Sequence, residues 1–232
     1  MKSSPIIDVI IPALNEENAI ARVIREIPKS LVRQIIVCNN NSQDHTALYA
    51  QEAGATVIDQ PRRGYGRACL TGIEYIKRQR GSLPPDIVVF LDGDYSDYPE
   101  EMINLIDPIL EGKDLVIGTR VRGKYSPDSM TGPQIFGNWL ATNLIKFCYG
   151  FKFTDLGPFR AIRWNKLLEL KMEDPTYGWT VEMQVKALKQ KLSCAEVAVS
   201  YRNRIGESKI SGNLKGSILA GHKILWTIFK YL

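Results

Sequence analysis

The sequence has few of the residues that build metal clusters or disulfide frameworks. Its 232 residues include two histidines, His45 and His222, and four cysteines, Cys38, Cys69, Cys148 and Cys194. The cysteines form no CxxC pair. That argues against a zinc site and against a stapled extracellular scaffold, and fits reduced thiols in a cytoplasm. No apolar run reaches the roughly 18 to 20 residues needed to span a bilayer. The single Lys2 followed by Pro5-Ile6-Ile7-Asp8 does not read as a signal peptide. There is no internal repeat, no low-complexity segment and no basic ribbon interleaved with aromatics, so nucleic acid is not an expected partner. What remains is an ordinary globular composition, 44% hydrophobic and 24% charged, in a chain long enough for one domain with a well-buried core.

Charge is unevenly distributed. Residues 183–232 carry nine Lys and Arg against two Glu, whereas residues 1–182 carry 21 against 23. A neutral-to-acidic body with a basic tail points to an anionic partner near the C-terminus, or to a solvated basic face.

The first half alternates between short apolar runs and helical patterns. Ile6–Ile11, Gln34–Cys38, Ala55–Ile58, Ile87–Leu91 and Leu115–Ile117 read as strands. Between them, Asn15 is expected to cap a helix that Pro28 ends, and Ser42 or Asp44 to cap one running to Gly54. A third helix lies within Gly64–Gly81, and a fourth runs from Pro99 to about Glu111. The second half is less regular. Gly123–Gly132 reads as a mobile loop near the site. Helices are expected over Gln134–Tyr149, Thr180–Gln190 and Leu214–Leu232, with strands at Gly157–Arg163 and Ala195–Tyr201. Strand–helix alternation with apolar strands predicts an α/β fold whose mostly parallel central sheet is flanked by helices on both faces. Ligands of such sheets bind beyond the carboxyl ends of the strands.

One segment lies where such a ligand would bind. Ile87-Val88-Val89-Phe90-Leu91 stops on Asp92-Gly93-Asp94. Two aspartates two residues apart on extended backbone point to the same side, and Gly93 lets a ligand approach closely. Their mutual repulsion is relieved by a divalent cation carrying a diphosphate. The alternative is plain turn chemistry, since Asp and Gly are common at strand ends.

Further segments stand in order around this pair. They are Ile10-Ile11-Pro12-Ala13-Leu14-Asn15-Glu16-Glu17, Ile36-Val37-Cys38-Asn39-Asn40-Asn41-Ser42, Arg63-Gly64-Tyr65-Gly66-Arg67 and Val116-Ile117-Gly118-Thr119-Arg120. Later come Thr154-Asp155-Leu156-Gly157-Pro158-Phe159-Arg160 and Tyr201-Arg202-Asn203-Arg204-Ile205-Gly206-Glu207-Ser208-Lys209. In order and spacing the chain resembles the family-2 glycosyltransferases of GT-A fold, within them the branch of dolichyl-phosphate mannose synthase-like enzymes. The resemblance implies one GT-A-like domain over residues 1–232, with a nucleotide-sugar-binding half (1–120) and an acceptor half (121–232). It implies a nucleotide-sugar donor at Pro12, Ala13, Asn15, Glu16, Asn39, Asn41, Gly64, Gly66, Asp92 and Gly93. It also implies Mg²⁺ or Mn²⁺ on Asp92 and Asp94, and inverting hexosyl transfer. The chain departs from the family pattern at Asn39-Asn40, where Asp-Asp is common, and at Ser96, where polyprenyl-phosphate members often have Gln. It offers Arg122 and Lys124 in the loop where those members tend to carry an Arg.

Arg120, Arg160, Arg202, Arg204 and Lys209 are the candidate cations for an anionic acceptor such as a polyprenyl phosphate. Asp155 is open to three roles: general base, acceptor ligand or structural cap. Glu182 is either a base or a helix-terminal acid. An acceptor hydroxyl needs one of them as base; an acceptor phosphate is already ionised. In the last helix Lys215, Lys223 and Lys230 fall within about 80° of one another, while Leu214, Ile218, Leu225, Phe229 and Leu232 form another face. Such a helix rests on anionic lipid, on its own domain or on a second subunit of a homo-oligomer. The first option makes the protein peripheral on the inner face of a membrane. The rival readings are a phosphatase that uses Asp92 as nucleophile, a sugar-nucleotide pyrophosphorylase, and a nucleotide-sugar-binding module without turnover.

Overall fold

The computed structural model describes residues 4–81, 83–124, 126, 129–206 and 214–232, with 214–218 as backbone only. Seven strands form one sheet in the order β3-β2-β1-β4-β6-β5-β7. They are β1 (Ile7–Ala13), β2 (Gln34–Asn39), β3 (Thr56–Asp59), β4 (Ile87–Phe90), β5 (Leu115–Thr119), β6 (Arg160–Arg163) and β7 (Cys194–Ala198). β1 pairs in parallel with β2 and β4, β2 with β3, and β5 with β7. Only β6 runs against its neighbours, β4 and β5. β6 belongs to the second half of the chain yet lies between two strands of the first, so the two halves share one sheet.

Alternation within each strand sorts the core onto the two faces. Ile10, Ile36, Cys38, Val88, Phe90, Leu115, Ile117 and Ile162 line one face. Against it pack α3 (Tyr65–Arg78), α5 (Gly132–Tyr149), α6 (Trp164–Leu170), α7 (Trp179–Lys189) and α8 (Leu214–Lys230). Val9, Ile11, Ile35, Val37, Ile87, Val89 and Val116 line the other. They meet α1 (Ile20–Glu26), α2 (Thr46–Glu52) and α4 (Met102–Leu110). Both faces are covered, so the central strands β1, β4 and β5 are mostly apolar.

The differences from the sequence reading have local causes. Asn15 does not cap α1: it sits at φ +53. Its amide donates to Ser42 Oγ (3.0 Å) and its Oδ1 accepts from Gln43 N (2.8 Å). It therefore ties the β1 exit to the β2 exit, while α1 starts at Ile20 without a side-chain cap. Asp44 does hold the start of α2, accepting from Thr46 N at 3.0 Å. α6 follows β6 directly and was not anticipated; its seven residues carry too little periodicity to stand out.

Strand direction then assembles the site. β1, β2, β4 and β5 all run the same way, so Ala13, Asn39, Leu91 and Arg120 emerge at one edge of the sheet. β6 runs the opposite way, so its entrance, Thr154–Phe159, reaches the same edge. β7 is parallel to β5 and delivers Tyr201–Ile205 there as well.

Candidate active site

At this edge the Asp92–Asp97 turn is gripped from one side by Tyr201–Ile205. Arg202 N donates to Ser96 O (2.9 Å) and Ile205 N to Asp94 O (2.9 Å), and Asp97 pairs with Tyr201 as a β-bridge. Tyr201 is in turn held by Lys124 O and Ser126 N, at 2.8 Å each.

The carboxylates of the turn are unequally satisfied. Asp92 accepts one hydrogen bond, from Tyr65 Oη at 3.0 Å. Burial of its carboxylate, with the Asp94 charge beside it, pushes Asp92 up to about 6. Asp94 is 4% exposed. Its Oδ1 accepts from Ser96 N (3.0 Å) and Ser96 Oγ (2.5 Å), and its Oδ2 faces Arg204 Nη1 at 2.9 Å. Asp97 is buried with both carboxylate oxygens lacking any hydrogen-bond partner. Burial, reinforced by the charges of Asp92 and Asp94, raises it well above the usual carboxylate range. Orphaned buried acceptors are rare and costly, and here they lie beside a like-charged pair. The turn is short of positive charge.

Its surroundings hold the residues expected at the donor. Pro12 and Ala13 are buried at the end of β1. Glu16 N donates to Thr46 Oγ1 at 2.7 Å. Asn39 bridges Asp59 Oδ1 (2.8 Å) and Ser42 N (3.2 Å). Asn40 accepts from Gly64 N at 2.7 Å and donates to Arg62 O at 3.0 Å. Asn41 stands exposed at φ +62. The lack of a side chain at Gly64 and Gly66 has an internal reason: a Cβ on either would collide with the Pro175 or Asp174 carbonyl. The Asp174–Thr176 backbone lies against α3 there, and Arg67 N donates to Pro175 O (3.0 Å).

The residues expected at the acceptor are engaged within the fold. Asp155 is fully buried and clamps Arg120 with both oxygens: Nε and the backbone N reach Oδ2 at 2.8 Å, and Nη2 reaches Oδ1 at 2.7 Å. Burial opposes the Arg120 charge, but Asp155 overcomes it and holds the guanidinium well above its usual value. Glu182 is fully buried and accepts from Glu173 N (3.0 Å), Asp174 N (2.8 Å) and Tyr231 Oη (2.9 Å), and pairs with Lys186 at 2.7 Å. It braces the turn between α6 and α7. Arg160, expected at an acceptor phosphate, is instead fully buried, and its guanidinium donates to the carbonyls of Thr180, Leu156 and Gly157. Burial pulls it down to about 10. Arg202, also expected there, is a strut. It pairs with Glu26 (2.8 Å), donates to Tyr95 O (2.7 Å), and lies over the Tyr95 and Tyr98 rings at 3.3 and 4.2 Å. Lys209 lies outside the described residues. Ser96 turns its hydroxyl onto Asp94.

Tyr65 and Asp97 were not singled out from the sequence, and Arg204 was weighed there only as one of several cations. Tyr65 lies within the Arg63–Arg67 segment, but a phenol reaching Asp92 from the start of α3 leaves no local pattern. Among the described residues, no group of three or more His, Cys, Asp or Glu side chains could hold a metal ion by itself. A cation here would take two carboxylates and complete its shell from a ligand, as Mg²⁺ commonly does with phosphates.

Comparison with known proteins agrees with this geometry. The family model described as "Glycosyl transferase family 2" matches residues 8–170. An uncharacterized glycosyltransferase of Mycobacterium tuberculosis is 32% identical over 217 residues, 92% of this chain and 94% of that protein. The dolichyl-phosphate hexose transferase of Haloferax volcanii is 31% identical over 206 residues, 87% of this chain and 85% of that one. Among solved structures, glucosyl-3-phosphoglycerate synthase of M. tuberculosis, in complex with Mn²⁺, uridine-diphosphate and glucosyl-3-phosphoglycerate, superposes with a TM-score of 0.76. It is 24% identical and covers 99% of this chain and 81% of that chain. A likeness at that identity speaks for the fold, which is the GT-A arrangement. With the sheet edge, the carboxylate turn and these matches in agreement, the chain belongs to glycosyl transferase family 2 and is a glycosyltransferase enzyme.

Proposed function

We propose that the chain moves a sugar from a nucleoside-diphosphate sugar onto a phosphate borne by a polyprenyl lipid, at a membrane surface. The observation that carries this reading is the state of the acceptor-side carboxylates. Asp155 is clamped by Arg120 and Glu182 by the Glu173–Asp174 turn. Neither is free to take a proton from a hydroxyl, and an acceptor that arrives ionised needs no base. Arg120, fixed by Asp155, presents positive charge at the same edge.

Support for a lipid comes from α5. Asn138 in this helix holds the acceptor loop, donating to Thr154 O and accepting from Leu156 N, both at 2.9 Å. Beside it Phe136 and Trp139 are 61% and 58% exposed, and Phe147, on the same side of the helix, is 89% exposed. α8 and the residues after it add Trp226, Phe229 and Leu232, all exposed, and α8 joins α5 through Tyr149 Oη and Ile228 O (2.7 Å). Exposed aromatics in such number mark a surface that meets something apolar. Two lysines of α8 differ from their expected role: Lys223 pairs with Asp174 (2.8 Å) and Lys230 with Glu173 (2.6 Å), while the side chains of Leu214, Lys215 and Ile218 lie outside those described. Apolar contact, rather than charge, is then the main attraction for lipid. Among the described residues no helix is long and apolar enough to cross a membrane; the contact proposed is a peripheral one, on the cytoplasmic face. The name of the H. volcanii relative points to the same acceptor class.

Mg²⁺ or Mn²⁺ fits the Asp92–Asp94 turn, which has two adjacent carboxylates, a buried third acid without partners and a guanidinium already drawn onto Asp94. When bound, the cation supplies stabilisation of the charge that builds on the leaving diphosphate. Tyr65 orients Asp92, and Ser96 orients Asp94. Arg120 holds the acceptor phosphate against the sugar. An acceptor oxygen attacks the anomeric carbon as its bond to the diphosphate breaks, which inverts the configuration and releases the nucleoside diphosphate.

The test is transfer from UDP- and GDP-sugars with Mn²⁺ to three acceptors in liposomes: polyprenyl phosphate, polyprenol and phosphoglyceric acid. Product is expected on polyprenyl phosphate. Preference for polyprenol would remove the ionised-acceptor argument, and phosphoglyceric acid as sole acceptor would move the enzyme to soluble substrates. Co-sedimentation with vesicles, weakened by Trp139→Ala, checks the lipid face; a dimer that buries that face instead shows up in analytical ultracentrifugation.

A further inference from the structure

Arg204 presents a problem for any cation at the Asp92–Asp94 turn. Asp94 Oδ1 is taken by two hydrogen bonds from Ser96, so Oδ2 is its remaining oxygen, and the Arg204 guanidinium is on it at 2.9 Å. The pair is well shielded, with side-chain exposures of 28% for Arg204 and 6% for Asp94. Burial works against the Arg204 charge, but Asp94, Tyr201 and Asp92 together outweigh it. Around it lie Asp92, with a single hydrogen bond, and Asp97, with none. Among the described residues, Arg204 is thus the cation paired with a carboxylate of this turn.

We propose that Arg204 is a resident counter-ion that competes with the divalent cation for Asp94 and is displaced when cation and donor arrive together. This rests on the reading of Asp92 and Asp94 as the metal carboxylates. A divalent ion and a guanidinium repel each other and cannot share one carboxylate oxygen cheaply, so cation entry breaks the Arg204–Asp94 contact. Arg204 cannot travel far, because the next residue is anchored by Ile205 N to Asp94 O at 2.9 Å. The released guanidinium stays at the lip of the site, where a diphosphate brings two or more negative charges, and guanidinium binds phosphate bidentately. Bare cation must therefore eject Arg204 without compensation, whereas cation with diphosphate gives Arg204 a new partner. The pairing makes cation and nucleotide binding depend on each other, and it couples them to Tyr201–Ile205, the segment that bonds to both the Asp92–Asp97 turn and the Lys124–Ser126 loop.

The experiment is Mn²⁺ titration followed by the EPR signal of free Mn²⁺, with and without UDP or GDP, on wild type, Arg204→Gln, Arg204→Lys and Asp94→Asn. Without nucleotide, Arg204→Gln is expected to bind Mn²⁺ about 3- to 10-fold more tightly than wild type, as when a single competing ion pair is removed. The gain in Mn²⁺ affinity on adding nucleoside diphosphate is expected to shrink in the same variant. Arg204→Lys, which keeps the charge without the fork, is expected between the two, and serves alone if the Gln variant does not fold. Equal or weaker Mn²⁺ binding by Arg204→Gln without nucleotide, while Asp94→Asn loses Mn²⁺, would overturn the competition. Undiminished Mn²⁺ binding by Asp94→Asn would instead remove the metal assignment on which it rests.

Discussion

The two sides of the sheet edge treat their carboxylates in opposite ways. On the donor side Asp92 accepts one hydrogen bond and Asp97 none, and both are held above the ordinary carboxylate range by burial and by neighbouring negative charge. On the acceptor side Asp155 and Glu182 are buried more completely than Asp92, yet their oxygens are filled by Arg120, or by Lys186, Tyr231 and two backbone amides. Burial alone therefore does not mark a functional acid. An acid left short of partners is poised for something that arrives from outside; an acid whose oxygens are tied to several elements of the fold is holding them together. Asp94 stands between the two, tied to Ser96 and Arg204.

Substitutions at each side should break or sharpen this contrast. The largest effect is expected from Asp94→Ala, on the donor side: a loss of about 10³-fold in metal-dependent turnover, in line with removing a transition-state electrostatic contact. Its unfolding temperature in EDTA should fall less than that of Glu182→Ala, because the Arg204 side chain left behind is 28% exposed and can reach water. Glu182→Ala, on the filled side, should do the reverse. It strands Lys186 and the Glu173 and Asp174 amides, and should cost about 3 kcal/mol in urea unfolding, with turnover per folded molecule largely kept. If Glu182→Ala folded normally and lost turnover, the division would be wrong.

Asp97→Asn probes the same contrast from within the donor side. The folded state raises the Asp97 pKa, so wild-type stability is fully present below the ordinary value of 3.8 and is lost as pH rises toward the folded value. Asn carries no such penalty. In EDTA the variant should be more stable than wild type by about 1–3 kcal/mol at neutral pH, the gain vanishing near pH 4. Guanidinium unfolding at several pH values checks this. The smallest effect belongs to Glu173, which hydrogen bonds from Lys230 and Tyr231 hold down at about 2. Its contribution is present above its ordinary value of 4.5 and is lost as pH falls toward 2. Because Glu173 is largely exposed, Glu173→Gln should only slightly soften the acid unfolding of wild type, and added salt should erase the difference.

The strands and most helices were legible from the sequence because each rests on local rules: apolar runs, proline at a first turn, glycine after a last one. The carboxylate turn was legible for the same reason, since Asp92 and Asp94 are separated only by Gly93 at the end of an apolar strand. The roles of the arginines were not. Arg160 and Arg202 look alike in sequence, both following glycine- or tyrosine-marked motifs. One is sealed in the core against three carbonyls, and the other is sandwiched between Tyr95 and Tyr98. Asn15 was misassigned because its partners, Ser42 and Gln43, leave a different strand.

By itself the sequence determined the α/β alternation, the position of the aspartate pair at a strand's carboxyl end and the family to which the chain belongs, since these depend on residues close together in the chain. Only the tertiary structure decided which charges are free. A charge is neutralised by whatever lies within a few ångströms, and here those neighbours come from Glu26, Tyr65, Thr154–Gly157 and Tyr201–Ile205. They meet at one edge because β6 runs against the rest of the sheet and brings Thr154–Gly157 there, while β7, parallel to β5, brings Tyr201–Ile205.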